Sequence, residues 1–292
     1  MNLPNWSGVI TALATPFIKG EVDCESLTKL IDFQIRSGVG DFVVNGTTAE
    51  SPTLSRQEVE MIYKQVRETL PKTSRIILGT GSNSTAKTIA NGKLAKELGA
   101  DACLVVVPYY NKPTQKGLLK HFLIVAESSD LPVILYNVPS RTVAKLELDT
   151  IAHLSQHPNI VGIKEASGDI EFLKEIKKVV PEDFSLLSGD DFTIDEFVRN
   201  GGHGVISVFS HIIPGVLAEY FLEIFSEKPS PVNLKRYDRL CSALFEYPNP
   251  VPVKRALFQM GIFRSDEVRL PLVSLEDDES ERIIGALNEV GL

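Results

Sequence analysis

Cysteine is scarce: only Cys24, Cys103 and Cys241 occur in 292 residues. They are far apart and follow no metal-ligand spacing, so they read as reduced thiols of a cytoplasmic protein, not as a disulfide framework. Long basic runs are absent, and the formal net charge is −8. That argues against nucleic acid as a main partner. An anionic ligand must then be met by individual Arg or Lys side chains. No apolar stretch approaches the roughly 20 residues that cross a bilayer. The segment Met1-Asn2-Leu3-Pro4-Asn5-Trp6 lacks the basic and apolar regions of a signal peptide. Five histidines occur, His121, His153, His157, His203 and His211, without an H-E-x-x-H pattern. His153 and His157 are four apart, but Pro158 ends that helix, so all five read as surface or packing residues and no metal site is expected. There is no Walker A lysine. Gly79-Thr80-Gly81-Ser82-Asn83-Ser84 lacks the third glycine of a dinucleotide fingerprint.

What is present is a repeated pattern. Short apolar runs recur at Val9–Ala14, Asp41–Val44, Arg75–Leu78, Ala102–Val107, Pro132–Tyr136, Ile160–Lys164, Phe184–Leu187 and Gly204–Val208. They are rich in Val, Ile and Leu and do not alternate, as expected of parallel strands buried on both faces. Amphipathic segments lie between them, at Ser26–Arg36, Ser55–Thr69, Thr85–Leu98, Lys116–Ser128, Leu146–Leu154, Ile170–Val179 and Thr193–Asn200. An eighth is expected from about Pro214 to Phe225. Ser55 with Glu58 is a capping-box signature, and Gly201-Gly202-His203-Gly204 resembles a helix-to-strand turn. Eight β–α units most economically make an α/β chain folded as a (β/α)8 TIM barrel; an open doubly wound sheet is the alternative. A Pro/Ser-rich break, Glu227-Lys228-Pro229-Ser230-Pro231, precedes helical stretches at Val232–Leu244, Pro252–Gly261 and Glu279–Val290. The expected organisation is a catalytic barrel over 1–227 and a C-terminal helical extension over 228–292.

Lys164 ends the sixth run, Ile160-Val161-Gly162-Ile163-Lys164. Removing an ammonium group from water is costly unless it is paired or neutralised. A desolvated lysine loses its proton more readily, and a neutral amine attacks ketones. A lysine whose tip snorkels to solvent gives the same pattern. The other strand ends are unusual as well. They read Asn45-Gly46-Thr47-Thr48-Ala49-Glu50, Pro108-Tyr109-Tyr110-Asn111, Tyr136-Asn137-Val138-Pro139-Ser140-Arg141 and Ser188-Gly189-Asp190-Asp191. In a barrel, functional side chains gather at these ends. Thr47 and Thr48 offer hydroxyls and backbone N–H groups suited to a carboxylate, or form a polar strand exit. Tyr136, on the strand before Lys164, can shuttle protons or be a strand tyrosine with a wet tip. Arg141 has a fork suited to a second carboxylate, or is a solvated loop arginine. Tyr109 and Tyr110 are packing aromatics, or one completes a hydroxyl relay.

Taken together these segments resemble the dihydrodipicolinate synthase family of pyruvate-dependent class I aldolases. The landmarks are Ala14-Thr15-Pro16-Phe17, Gly46-Thr47-Thr48-Ala49-Glu50-Ser51, Pro108-Tyr109-Tyr110-Asn111-Lys112-Pro113, Tyr136-Asn137-Val138-Pro139-Ser140-Arg141-Thr142, Gly162-Ile163-Lys164-Glu165-Ala166, Leu187-Ser188-Gly189-Asp190-Asp191 and Gly201-Gly202-His203-Gly204-Val205-Ile206-Ser207. Their shared order and spacing over nearly the whole chain are very specific. The resemblance implies condensation of pyruvate with L-aspartate 4-semialdehyde, the first committed step of the diaminopimelate route to L-lysine. It implies Lys164 as the Schiff-base lysine and Tyr136, Thr47 and Tyr110 as a proton relay, Tyr110 serving across a subunit interface. Thr48 joins Thr47 in holding the pyruvate carboxylate, Arg141 anchors the semialdehyde, and main-chain groups at Gly189 and Ile206 line the pocket. No cofactor is implied, and the implied assembly is a homotetramer, a dimer of dimers. A sister aldolase such as N-acetylneuraminate lyase shares the lysine and the Tyr-Asn-x-Pro turn. Arg141 and the Tyr-Tyr-Asn motif favour the dipicolinate branch. A non-enzymatic pyruvate or sugar-acid sensor on the same barrel is a reading of another class, disfavoured by the intact lysine, tyrosines and arginine.

Two departures stand out. The family motif reads Gly-Thr-Thr-Gly-Glu, whereas Ala49 replaces the second glycine here. At positive φ an alanine costs about 1 kcal/mol. Lysine-sensitive members bind L-lysine through a glutamate and histidines; the matching positions here are Lys87, Arg56 and Val59. Like charges then face a cationic effector, so weak or absent inhibition is expected.

Overall fold

A computed structural model describes residues 6–226 and 232–292. The Glu227–Pro231 break and the expected boundary at 227/228 lie outside the described residues. The eight apolar runs form strands β1 (Gly8–Ala12), β2 (Asp41–Val44), β3 (Ile76–Gly79), β4 (Ala102–Val106), β5 (Val133–Asn137), β6 (Ile160–Glu165), β7 (Ser185–Ser188) and β8 (Gly204–Ser207). They close into a barrel in chain order, which excludes the open sheet. The pairs from β3 to β8 whose registers are defined are all parallel. A two-residue hairpin, Phe17–Ile18 with Glu21–Val22, follows β1.

Each strand is followed by a helix, from Cys24–Arg36 after β1 to Pro214–Phe225 after β8. Local chemistry sets the helix ends. Ser55 caps the helix Arg56–Thr69: its side chain accepts the Glu58 N–H while Glu58 accepts the Ser55 N–H, a reciprocal box that satisfies two otherwise orphaned donors. Gly99 closes the helix Thr85–Leu98 at φ 84°, a left-handed conformation that glycine enters without steric cost. The stretch expected as one helix over Val232–Leu244 is two pieces, a tight 3-10 turn at Leu234–Tyr237 and an α-helix at Asp238–Leu244. The Asn233 side chain accepts the Lys235 N–H and so starts the turn.

The chain forms two compact units. One comprises Met1–Ile10 and Arg75–Ile206, the other Thr11–Ser74 and Ser207–Leu292. In the first, β5 is buried along its whole length. In the second, the C-terminal helices Val251–Gln259 and Glu281–Val290 bury Val253, Leu257, Ile283 and Leu287. Among the described residues Cys24, Cys103 and Cys241 form no disulfide. Among the described residues no helix is long and apolar enough to cross a membrane.

Candidate active site

The first unit brings Lys164 and Tyr136 together. They are register partners on β6 and β5, so their side chains leave the same face of the sheet. Lys164 is 7% exposed, and its Nζ lies 4.5 Å from the centre of the Tyr136 ring. Lys164 therefore does not snorkel; its nitrogen rests on an aromatic face. Gly189, one residue past β7, makes room for it. A Cβ there would sit 2.8 Å from Lys164 Cε and 2.6 Å from the Ala166 methyl. Only glycine leaves the lysine stem its path, which gives Gly189 a structural reason independent of any ligand. Ile206 is buried on β8.

Behind this pair stands Glu165, buried and bonded to Asn137 and to the Ser167 N–H. Burial pushes its carboxyl above the usual range, against the pull of those hydrogen bonds. Arg141 lies on a single helical turn, Pro139–Thr142. The proline at its first position suits helix entry. Arg141 is exposed. Tyr110 is 89% exposed and has φ 73°. It projects into solvent.

Thr47 and Thr48 belong to the second unit, in a tight turn after β2. The Ala49 N–H donates to Gly46 O at 3.2 Å and the Glu50 N–H to Thr47 O at 3.1 Å. Positive φ falls on Asn45 and Glu50, not on Ala49. The strain considered for alanine is therefore not incurred. The left-handed residue is Glu50, and its side chain is tied down on both oxygens. Lys254 Nζ donates to Oε1 and the Arg269 N–H to Oε2, each at 2.8 Å. Thr48 is buried, and Asn249 Nδ2 donates to its hydroxyl at 3.0 Å. Lys254 and Arg269 both stack on Phe17, and Arg269 bonds Glu58, holding that carboxyl down at about 2.

Asn249 and Lys254 were not singled out from the sequence. Their partners lie some 200 residues away in the chain. The available signals were an asparagine between two prolines, Pro248-Asn249-Pro250, and a lysine within the apolar stretch Val251–Leu257. His121 and His211 are buried and His153 is exposed, in keeping with packing and surface roles. His211 is wholly buried, accepts the Ala14 N–H at Nε2 and lies 2.7 Å from Val208 O through Nδ1.

Comparison with known proteins agrees with this geometry. The dihydrodipicolinate synthetase family model matches residues 5–290. A 4-hydroxy-tetrahydrodipicolinate synthase of Bdellovibrio bacteriovorus is 46% identical, covering 99% of this chain and all of the relative. The Acinetobacter baumannii dihydrodipicolinate synthase, solved as a complex with pyruvate, is 41% identical with a TM-score of 0.94, covering 98% of this chain and 99% of that one. The Thermotoga maritima synthase is 40% identical, also at 0.94, with the same coverage. A barrel with a lysine buried at the end of its sixth strand, matched from end to end by these relatives, leaves one assignment: the chain belongs to the dihydrodipicolinate synthetase family.

Proposed function

We infer that this chain condenses pyruvate with L-aspartate 4-semialdehyde to give 4-hydroxy-tetrahydrodipicolinate, the committed step toward diaminopimelate and L-lysine. The observation that carries the reading is Lys164, buried against Tyr136 at the end of β6 in a chain whose relatives carry that enzyme's name. Lys164 Nζ attacks the ketone carbon of pyruvate, and water leaves as the imine forms. The protonated imine withdraws electrons, so the methyl group gives up a proton and an enamine results. The enamine carbon attacks the aldehyde of the semialdehyde. The substrate's own amine then attacks the imine carbon, closes the ring and frees Lys164. The net by-product is one water.

Residue roles follow from chemistry and place. Tyr136, in register with Lys164, is the proton donor and acceptor for imine formation, with Thr47 and Tyr110 completing the relay. Thr47 and Thr48 hold the pyruvate carboxylate. Arg141 binds the carboxylate of the semialdehyde as a planar, permanently charged fork. Gly189 and Ile206 contribute main-chain groups to the pocket. The exposure of Tyr110 supports a role delivered to a second subunit, and the assembly we propose is a homotetramer of two dimers, acting in the cytoplasm. No cofactor enters this scheme, because the imine itself is the electron sink.

The test is pyruvate consumption with aspartate 4-semialdehyde beside N-acetylmannosamine and glyceraldehyde. Fast turnover with the semialdehyde alone is expected. Preference for a sugar aldehyde would move the chain to a sister lyase and leave Arg141 without its role.

A further inference from the structure

One step beyond Tyr136 and Lys164, the same strands carry a second facing pair. Asn137 and Glu165 are register partners. Alternation sends their side chains to the opposite face from Tyr136 and Lys164. Both are almost fully buried, at 0% and 2% exposure. Every polar atom of the pair is used. Asn137 Nδ2 donates to Glu165 Oε2 at 2.7 Å, and the Ser167 N–H donates to Glu165 Oε1 at 2.7 Å. The Leu146 N–H donates to Asn137 Oδ1 at 3.0 Å.

That last bond spans a loop. The chain leaves β5 at Asn137, makes the turn that carries Arg141, and comes back at Leu146. Inside the loop the Thr142 hydroxyl donates toward Val138 O and Ala144 O. Val143 sits at φ 64°, where β-branched residues are outliers. Such a conformation persists only where its surroundings over-determine it. Asn137 supplies that constraint by tying the loop's far end to its start and, through Glu165, to the strand of Lys164.

We propose that Asn137 and Glu165 are positioning residues, a buried amide–carboxylate clasp that fixes the Arg141 loop relative to Lys164 and so sets the affinity for the semialdehyde carboxylate. The proposal rests on the function inferred above. The donor pattern makes each partner specific. A glutamine at position 165 would set its NH2 against one of two N–H donors, and an aspartate at position 137 would set one carboxylate against another. Made together, the two changes restore the pattern. The carboxylate introduced by Asn137→Asp accepts from the Leu146 N–H and from the amide introduced by Glu165→Gln, and the oxygen of that amide accepts from the Ser167 N–H.

The experiment is a double-mutant cycle on the full chain with Asn137→Asp, Glu165→Gln and the pair combined. For each protein one reads both KM values, kcat, borohydride trapping of pyruvate and the melting temperature. Each single change should raise the KM for the semialdehyde about tenfold or more and that for pyruvate less than about threefold. Trapping at Lys164 should persist. The combined variant should return the semialdehyde KM to within about threefold of the starting protein. In an Arg141→Ala background, Glu165→Gln should add nothing to the semialdehyde KM. Equal rises in both KM values, or an unchanged semialdehyde KM in the single variants, would overturn the clasp. If a single variant does not fold, the combined variant decides, since one that folds with a raised semialdehyde KM also overturns it. Absence of semialdehyde turnover by the starting protein would instead refute the function on which the proposal stands.

Discussion

Each compact unit buries a lysine, and the two are treated in opposite ways. Lys254 is 0% exposed, holds Glu50 at 2.8 Å and stacks on Phe17. Burial pushes its amine down while Glu50 pulls it back. Its nitrogen is committed to a carboxylate that is itself fixed by the Arg269 N–H. Lys164, almost as buried, meets the Tyr136 ring and the open side of Gly189, and among the described residues no carboxylate pairs with it. Burial therefore does not distinguish the proposed nucleophile from a strut. What distinguishes them is whether the nitrogen is already spoken for and whether space is left beside it. Gly189 provides that space, and in the other unit Glu50 removes the freedom.

The sharpest way to break this comparison is to delete each lysine in turn. Lys164→Met should lower kcat by about a thousandfold or more while leaving the melting temperature nearly unchanged, because no partner charge is orphaned. Lys254→Met should do the reverse. It strands Glu50 as a buried, half-satisfied carboxylate, at a cost of about 3–5 kcal/mol, or about 10 °C in melting temperature. Calorimetry beside the coupled assay reads both, and an unstable Lys164→Met would show that Lys164 also carries structural weight.

Next in size is Tyr136→Phe, which keeps the ring under Lys164 and removes only the hydroxyl. Pyruvate should still bind, with turnover about a hundredfold or more slower. A kcat within a few-fold of the starting value would remove Tyr136 from proton transfer.

How much of this was legible beforehand follows from the range of each interaction. The strands were legible because each is a short apolar run, and the helix after β2 because Ser55 and Glu58 sit three apart. Lys164 was legible because one ammonium among Ile and Val is conspicuous. The Asn137–Glu165 clasp was not, since it depends on the β5–β6 register rather than on either residue's neighbours. The Lys254–Glu50 pair was not either, as its partners are 204 residues apart. Ala49 is instructive in another way. An alanine there is strained only at positive φ, and the left-handed residue is instead Glu50, whose carboxylate is tied to Lys254.

A smaller effect concerns acid. His211, His121 and His203 are each held down to about 4 by burial. A neutral native histidine contributes stability that is complete above its unfolded value near 6.5 and is lost as pH falls from there toward 4. Glu58, held at about 2, loses its contribution mostly below that range, as pH falls from its ordinary 4.5 toward 2. The melting temperature should therefore fall between pH 6.5 and 4, mostly through His211, whose Nε2 accepts the Ala14 N–H and has no place for a proton. A flat melting temperature over that window would contradict the assignment.

The smallest expected effect is regulatory. Lys87 is exposed, Arg56 pairs with Glu60 on its own helix and Val59 is buried. Nothing at these positions attracts a cationic amino acid, so L-lysine should inhibit weakly or not at all in a steady-state assay. Inhibition below about 1 mM would contradict that expectation.

The most direct test of the two-lysine account is borohydride reduction in the presence of pyruvate, followed by peptide mapping of every lysine. The account predicts one reduced adduct, on the peptide containing Lys164, with Lys254 unmodified. An adduct on Lys254 or on any other lysine, or none on Lys164, would contradict it.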